Sequence, residues 1–178
     1  GWDPGRQRWQ VRAHRAFADM VVRYTIDGSE PGETSPTFTD VLELDQPGVV
    51  TLLATRNGRA YSRSTYTLSA NQAVGKPVTY AVSPSPKYSR AGDLALVDGM
   101  VGSDSFSDGV WVGWQGAALD ATIDLQQATR FHSVGVRFMQ QSMSWILLPK
   151  AVRISVSADG VRWKRVQATP VEVGPADK

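Results

Sequence analysis

The sequence predicts an all-β fold: two β-sandwich modules in tandem, the second wound in the manner of a jelly roll. Three observations carry this. Apolar and polar residues alternate in short runs. The clearest is Leu119, Ala121, Ile123 and Leu125 set against Asp120, Thr122 and Asp124, and such alternation puts one face on a core and the other in water. Turn dipeptides cut the runs at Asp27-Gly28, Pro47-Gly48, Asn57-Gly58 and Asp159-Gly160. Past the N-terminal stretch, no segment reads convincingly as a helix.

The first module spans 1–70. Its opening is ambiguous, because Trp9, Ala13, Phe17 and Met20 fit a helical stripe while Trp9, Val11 and Ala13 fit a strand. We expect a strand to about Arg12, a bend, and a second strand over 21–26 with Val22, Tyr24 and Ile26 on one face. Pro31, Gly32 and Pro36 extend the loop after Asp27-Gly28. Strands over 41–44, 49–55 and 60–68 follow, the last offering Tyr61, Tyr66 and Leu68 for packing.

The second module spans 71–178. A strand over 75–82 leads into a loop over 83–99 that ends in an apolar run at 94–97. In the stretch 96–125, Gly99, Gly102, Gly109, Gly113 and Gly116 allow Phe106, Trp111 and Trp114 to fold tightly before the alternating strand. Val134, Val136 and Phe138 share a face of an expected strand over 131–139. Val152, Ile154 and Val156 do the same over 150–166, where Asp159-Gly160 closes a hairpin and Trp163 returns on the partner strand. Two antiparallel sheets packed face to face fit this pattern.

Composition narrows the function. Hydrophobic residues make up 42% of the chain, enough for a core, and no apolar run approaches the ~18 residues of a helical membrane span. There is no Cys, hence no disulfide and no thiolate metal site. The pI is near 9.1, but a formal charge of +2 makes no nucleic-acid footprint. The cluster Arg6, Arg8, Arg12, Arg15 and Arg23 reads as a solvated strand face.

Catalytic groups are missing from the pattern. Asp104, Asp108 and Gly109 mimic part of a calcium-binding EF-hand loop, but Phe106 and Gln115 occupy ligand positions, the latter where a bidentate Glu is required. His14 and His132 lie in different modules with no Cys to help, which argues against zinc. No Gly-x-Ser-x-Gly elbow accompanies His132. Asp27 and Glu30 sit in a polar turn, where nothing raises a carboxylate pKa.

The run RYTIDGSEPGETSPTFTD (23–40), with VTLLATRNGRAYS (50–62), resembles the small immunoglobulin-like module that follows the catalytic barrel in chitobiases and β-hexosaminidases. Tyr24, Thr25, Asp27, Gly28, Ser29, Pro31, Ser35 and Pro36 carry the resemblance. The second half resembles the discoidin-like domains, also called coagulation factor (F5/8) type C, with a galactose-binding-like fold. The carriers are Leu-Val-Asp-Gly at 96–99, Ile-Asp-Leu at 123–125, Val-x-Val-x-Phe at 134–138, and Ser-Ala-Asp-Gly at 157–160 with Trp163 beyond. The runs 102–125 and 145–160 are similar to the version at the C-terminal end of bacterial family 20 glycoside hydrolases.

Together the resemblances imply a non-catalytic accessory region of a β-N-acetylhexosaminidase-like glycoside hydrolase, a candidate carbohydrate-binding module; the alternative is a structural spacer docked on the barrel. The partner is then a glycan or the catalytic barrel, whose Asp-Glu pair would do the chemistry. The implied location is bacterial: periplasmic, cell-surface or secreted. Sugar-binding discoidin relatives often carry a Pro-Arg pair after the Phe strand and a His after the loop Trp. Here Met139, Gln140 and Gln141 follow Phe138, and Val112 follows Trp111. The candidate sugar contacts are therefore Trp111, Gln140, Gln141 and Trp145. The resemblance also implies a candidate structural Ca²⁺ on Asp98, with Ser103 or Ser105 and Glu172. The discoidin pattern adds about three strands beyond 175–178, which are either supplied by residues outside this sequence or absent from a shortened version.

Overall fold

Trp9 and Val11 decide the N-terminal ambiguity in favour of a strand, because both are buried while Arg8 and Arg12 beside them are exposed. In the computed structural model, which describes residues 1–89 and 92–170 (the last four as backbone only), the chain divides into two compact units, 1–126 and 127–178.

Among the described residues the first unit holds nine strands: β1 (Trp2–Asp3), β2 (Arg8–Arg12), β3 (Val21–Thr25), β4 (Val41–Leu44), β5 (Gly48–Arg56), β6 (Arg59–Leu68), β7 (Val78–Tyr80), β8 (Met100–Val101) and β9 (Ala121–Ile123). They form a sheet in the order β1-β2-β4, a second in the order β3-β5-β6-β8, and the pair β7-β9, with every strand pair antiparallel. Trp9 and Val11 from one sheet meet Val22, Val50, Leu52, Ala54 and Leu68 from the other, and Met20 and Phe38 from the loops complete the core. Antiparallel sheets with one wet face need this alternation, and the sequence supplies it.

The Asp27-Gly28 turn forms as its residues require. Gly28 sits at φ +82 with Val49 filling the space where a side chain would go. Asp27 accepts from the Ser29 amide at 3.0 Å and the Ser29 hydroxyl at 2.6 Å. The Ser29 hydroxyl holds the Asp27 carboxyl below the ordinary range. Ser35 Oγ accepts from the Gly32 amide, and the Pro36 carbonyl from the Tyr24 amide.

β8 carries the β3-β5-β6 sheet past residue 70. Thr67 and Leu68 of β6 pair with Val101 and Met100, and the Ser69 amide donates to the Gly99 carbonyl at 2.8 Å. The Trp9 indole N–H reaches the buried carbonyl of Asp98 at 2.9 Å. Residues 97–101 are thus hydrogen-bonded to the first module, and the compact division of the chain falls at 126/127. The expected strand over 75–82 is realised only as β7, and the alternating strand over 119–125 as β9 paired with it.

Among the described residues the second unit has one hairpin, of β10 (Ala151–Val156) and β11 (Lys164–Pro170), with a register shift between Ile154 and Ser155. Trp163 stands just before β11. The strand expected over 131–139 does not form: the segment has no ladder partner among the described residues, and a strand without one leaves its amides unpaired. Within 127–166 no residue is fully buried.

Candidate functional site

Three of the four expected sugar contacts lie on one short loop of the second unit. Gln141 and Ile146 exchange backbone hydrogen bonds at 2.9 and 3.1 Å, which closes a hairpin around the 3-10 turn Ser142–Ser144. The Trp145 amide donates to the Ser142 carbonyl at 3.0 Å, and Trp145 takes a left-handed backbone conformation at φ 58. For a bulky residue that conformation is uncommon and is held in place by its surroundings. The result is an indole presented to solvent: Trp145 is 88% exposed. Gln140 Nε2 donates weakly to Ser142 Oγ at 3.5 Å. Gln141 Oε1 is buried and has no hydrogen-bond partner among the described residues, an arrangement that native structures seldom leave unexplained.

Trp111, the fourth expected contact, belongs to the first unit and has a different environment. Its ring lies against Gly102, within 2.4 Å of where a Cβ would stand, and its indole N–H donates to the Ser103 carbonyl at 2.9 Å. The ring is half-buried. Trp114 is likewise tied, its N–H on the Val82 carbonyl at 2.8 Å and its ring 5.7 Å from Tyr80. Phe106, by contrast, is exposed.

The calcium expectation meets the donor set as follows. Asp98 is only 4% exposed, and its Oδ1 accepts from the Met100 amide at 2.8 Å, so the Asp caps its own turn. Burial pushes its carboxyl up to about 6. Ser103 turns its hydroxyl to Asp108 Oδ2 at 2.8 Å, and Ser105 pairs with Ser107 at 2.9 Å. Glu172 lies outside the described residues. No three His, Cys, Asp or Glu side chains come together among the described residues.

One cluster escaped sequence reasoning. At the end of the β5-β6 hairpin, Phe17, Tyr61, Arg56 and Arg59 gather around a recess of about 460 Å³ lined by Arg56, Asn57, Arg59, Ala60 and Tyr61. The available signal was Arg-Asn-Gly-Arg followed by Tyr at 61. It reads as a turn, and nothing in it points to Phe17, 39 residues upstream of Arg56.

No helix among the described residues is long and apolar enough to cross a membrane. No curated protein matches the chain. Residues 6–67, the span from just before β2 to the penultimate residue of β6, match the family model of the chitobiase/beta-hexosaminidase C-terminal domain.

Proposed function

We propose that this chain is a non-catalytic accessory region of a β-N-acetylhexosaminidase-like glycoside hydrolase, and that it holds glycan through Trp145. The immunoglobulin-like and discoidin-like arrangement of 1–70 and 71–178 is part of the same reading. The family match over 6–67 supports the accessory role. The observation that carries glycan binding is the Trp145 ring, 88% exposed on a loop closed by the Gln141–Ile146 backbone pair, with the Gln140 amide just before it. An indole face covers the C–H face of a pyranose, and amide groups bond its hydroxyls. Retention of the purified chain on N-acetylglucosamine oligosaccharides, lost in Trp145→Ala, is the expected result. Failure of every glycan on an array to retain the chain defeats it.

A second reading rests on one further feature. Met143 is 94% exposed and Leu147 is 66% exposed, so Trp145 stands between two bare apolar side chains. A patch of this kind suits the surface of a catalytic barrel as a spacer contact. Under that reading Met143→Ser and Leu147→Ser weaken association with the barrel, and glycan arrays stay silent.

A further inference from the structure

We propose that the recess at the end of the β5-β6 hairpin binds a saccharide unit carrying a carboxylate or sulfate. The inference goes beyond the reading above, since it lies in the other unit and makes no use of Trp145.

The site begins with a register shift. Ala54 pairs with Ser62 but Thr55 with Ala60, so Tyr61 is an extra residue with no partner on β5. A bulge of this kind re-aims a side chain. Tyr61 turns to Phe17 and meets it edge-on, ring centroids 5.8 Å apart at 84°. Arg56 then stacks over Phe17, its Cζ 4.0 Å from the ring centroid. Asp19 fixes that guanidinium through Nε alone, with its two oxygens at 3.0 and 2.8 Å. The Nη groups of Arg56 therefore keep their donors free among the described residues. Arg59 faces Arg56 across the hairpin, and its side chain has neither a hydrogen bond nor an ion pair among the described residues.

Two guanidinium charges thus stand against one carboxylate, beside two exposed aromatic rings. Guanidinium forks bind planar or tetrahedral oxyanions bidentately, and more strongly than neutral acceptors. The rings offer the apolar surface that a pyranose covers, and Asn57 adds an amide for hydroxyls. A long polyanion is a poorer fit, because the chain as a whole carries only +2.

The test titrates the full chain by calorimetry with a glucuronic-acid disaccharide, a sulfated N-acetylglucosamine disaccharide and neutral N,N′-diacetylchitobiose. The expected result is binding of at least one acidic disaccharide, weakened about tenfold or more by R59Q and by Y61A, and unchanged by Trp145→Ala. Which acid binds distinguishes a carboxylate from a sulfate ligand. Arg59 is exposed, so R59Q should melt with the parent and isolates recognition from folding. Absence of binding by both acidic sugars overturns the proposal. So does equal binding of the neutral sugar by the Trp145→Ala chain, or acid binding that R59Q leaves within twofold. Loss of glycan retention by Trp145→Ala bears only on the earlier reading.

Discussion

The two units of this chain have similar alternation of apolar and polar residues and opposite outcomes. In the first, Trp9, Val11, Val22, Val50 and Leu52 close on each other between two sheets. In the second, Val134, Val136, Val161, Trp163 and Val166 stay exposed. Alternation marks which side of a strand is oily. It does not say whether another layer is present to cover that side, and cover is what converts pattern into stability.

The largest expected effect breaks this comparison open. Phe38 is 2% exposed and sits at the centre of the first core, so Phe38→Ala should cost about 3–5 kcal/mol. Val136→Ala, at an exposed site, should stay within about 0.5 kcal/mol. Urea unfolding followed by amide exchange in β5 measures the first and exchange in β10 the second. A Val136 variant that loses as much as the Phe38 variant would mean that the second unit has a core after all.

Two glycines with the same backbone sharpen the contrast. Gly99 and Gly160 have φ +73 and +72, so an Ala at either is strained. Around Gly160 there is open space, and Gly160→Ala should cost about 1 kcal/mol. At Gly99 a Cβ would stand 2.7 Å from Trp9 Nε1 and 2.9 Å from the Ser69 carbonyl. Gly99→Ala must push β8 off β6 and should cost about 2–3 kcal/mol, on top of which the Trp9 bond to Asp98 weakens. Equal melting points for the two variants would remove residues 97–101 from the role of a clasp.

How far the sequence reveals this structure follows the same line. The turn chemistry around Asp27-Gly28 and Asn57-Gly58 is local, so β3 to β6 are legible to within a residue or two. β8 is not, because two residues in a Gly-rich stretch carry no period, and their strand character comes wholly from pairing with β6. The 131–139 segment errs the other way, with period but no partner. The exposed Trp145 loop is legible as aromatic and amide residues close in sequence. The Phe17, Arg56, Arg59 and Tyr61 recess is not, since a one-residue register shift assembles it.

Asp98 gives a pH dependence of stability. Desolvation raises its carboxyl to about 6, above the ~3.9 of an unfolded chain. Between those values the folded state binds more protons than the unfolded one, so stability falls as pH rises through that window and levels off above it. The change is on the order of 3 kcal/mol. Asp98→Asn keeps an acceptor for the Met100 amide and removes the charge. Its stability should therefore be flat from pH 4 to 7 and exceed that of the parent at pH 7. A parent curve already flat across that range would remove the buried charge from the account.

The smallest effect has the opposite sign and belongs to the second unit. Asp159 Oδ1 accepts from the backbone amides of Arg162 at 2.8 Å and Val161 at 2.9 Å, and Oδ2 from the Arg162 side chain at 2.8 Å. The Arg162 amide, first among these, holds the carboxyl far below its usual range. Its contribution is present above the unfolded value near ~3.9 and is lost as pH falls below it. The group is exposed, so the loss is confined to the turn. The amide shifts of Val161 and Arg162 should hold steady down to about pH 3 and move only below it. Asp159→Ala should free both amides for exchange while leaving those of β5 protected. Titration of the two amides at an ordinary carboxylate midpoint would show that this turn is as loosely held as the apolar residues around it.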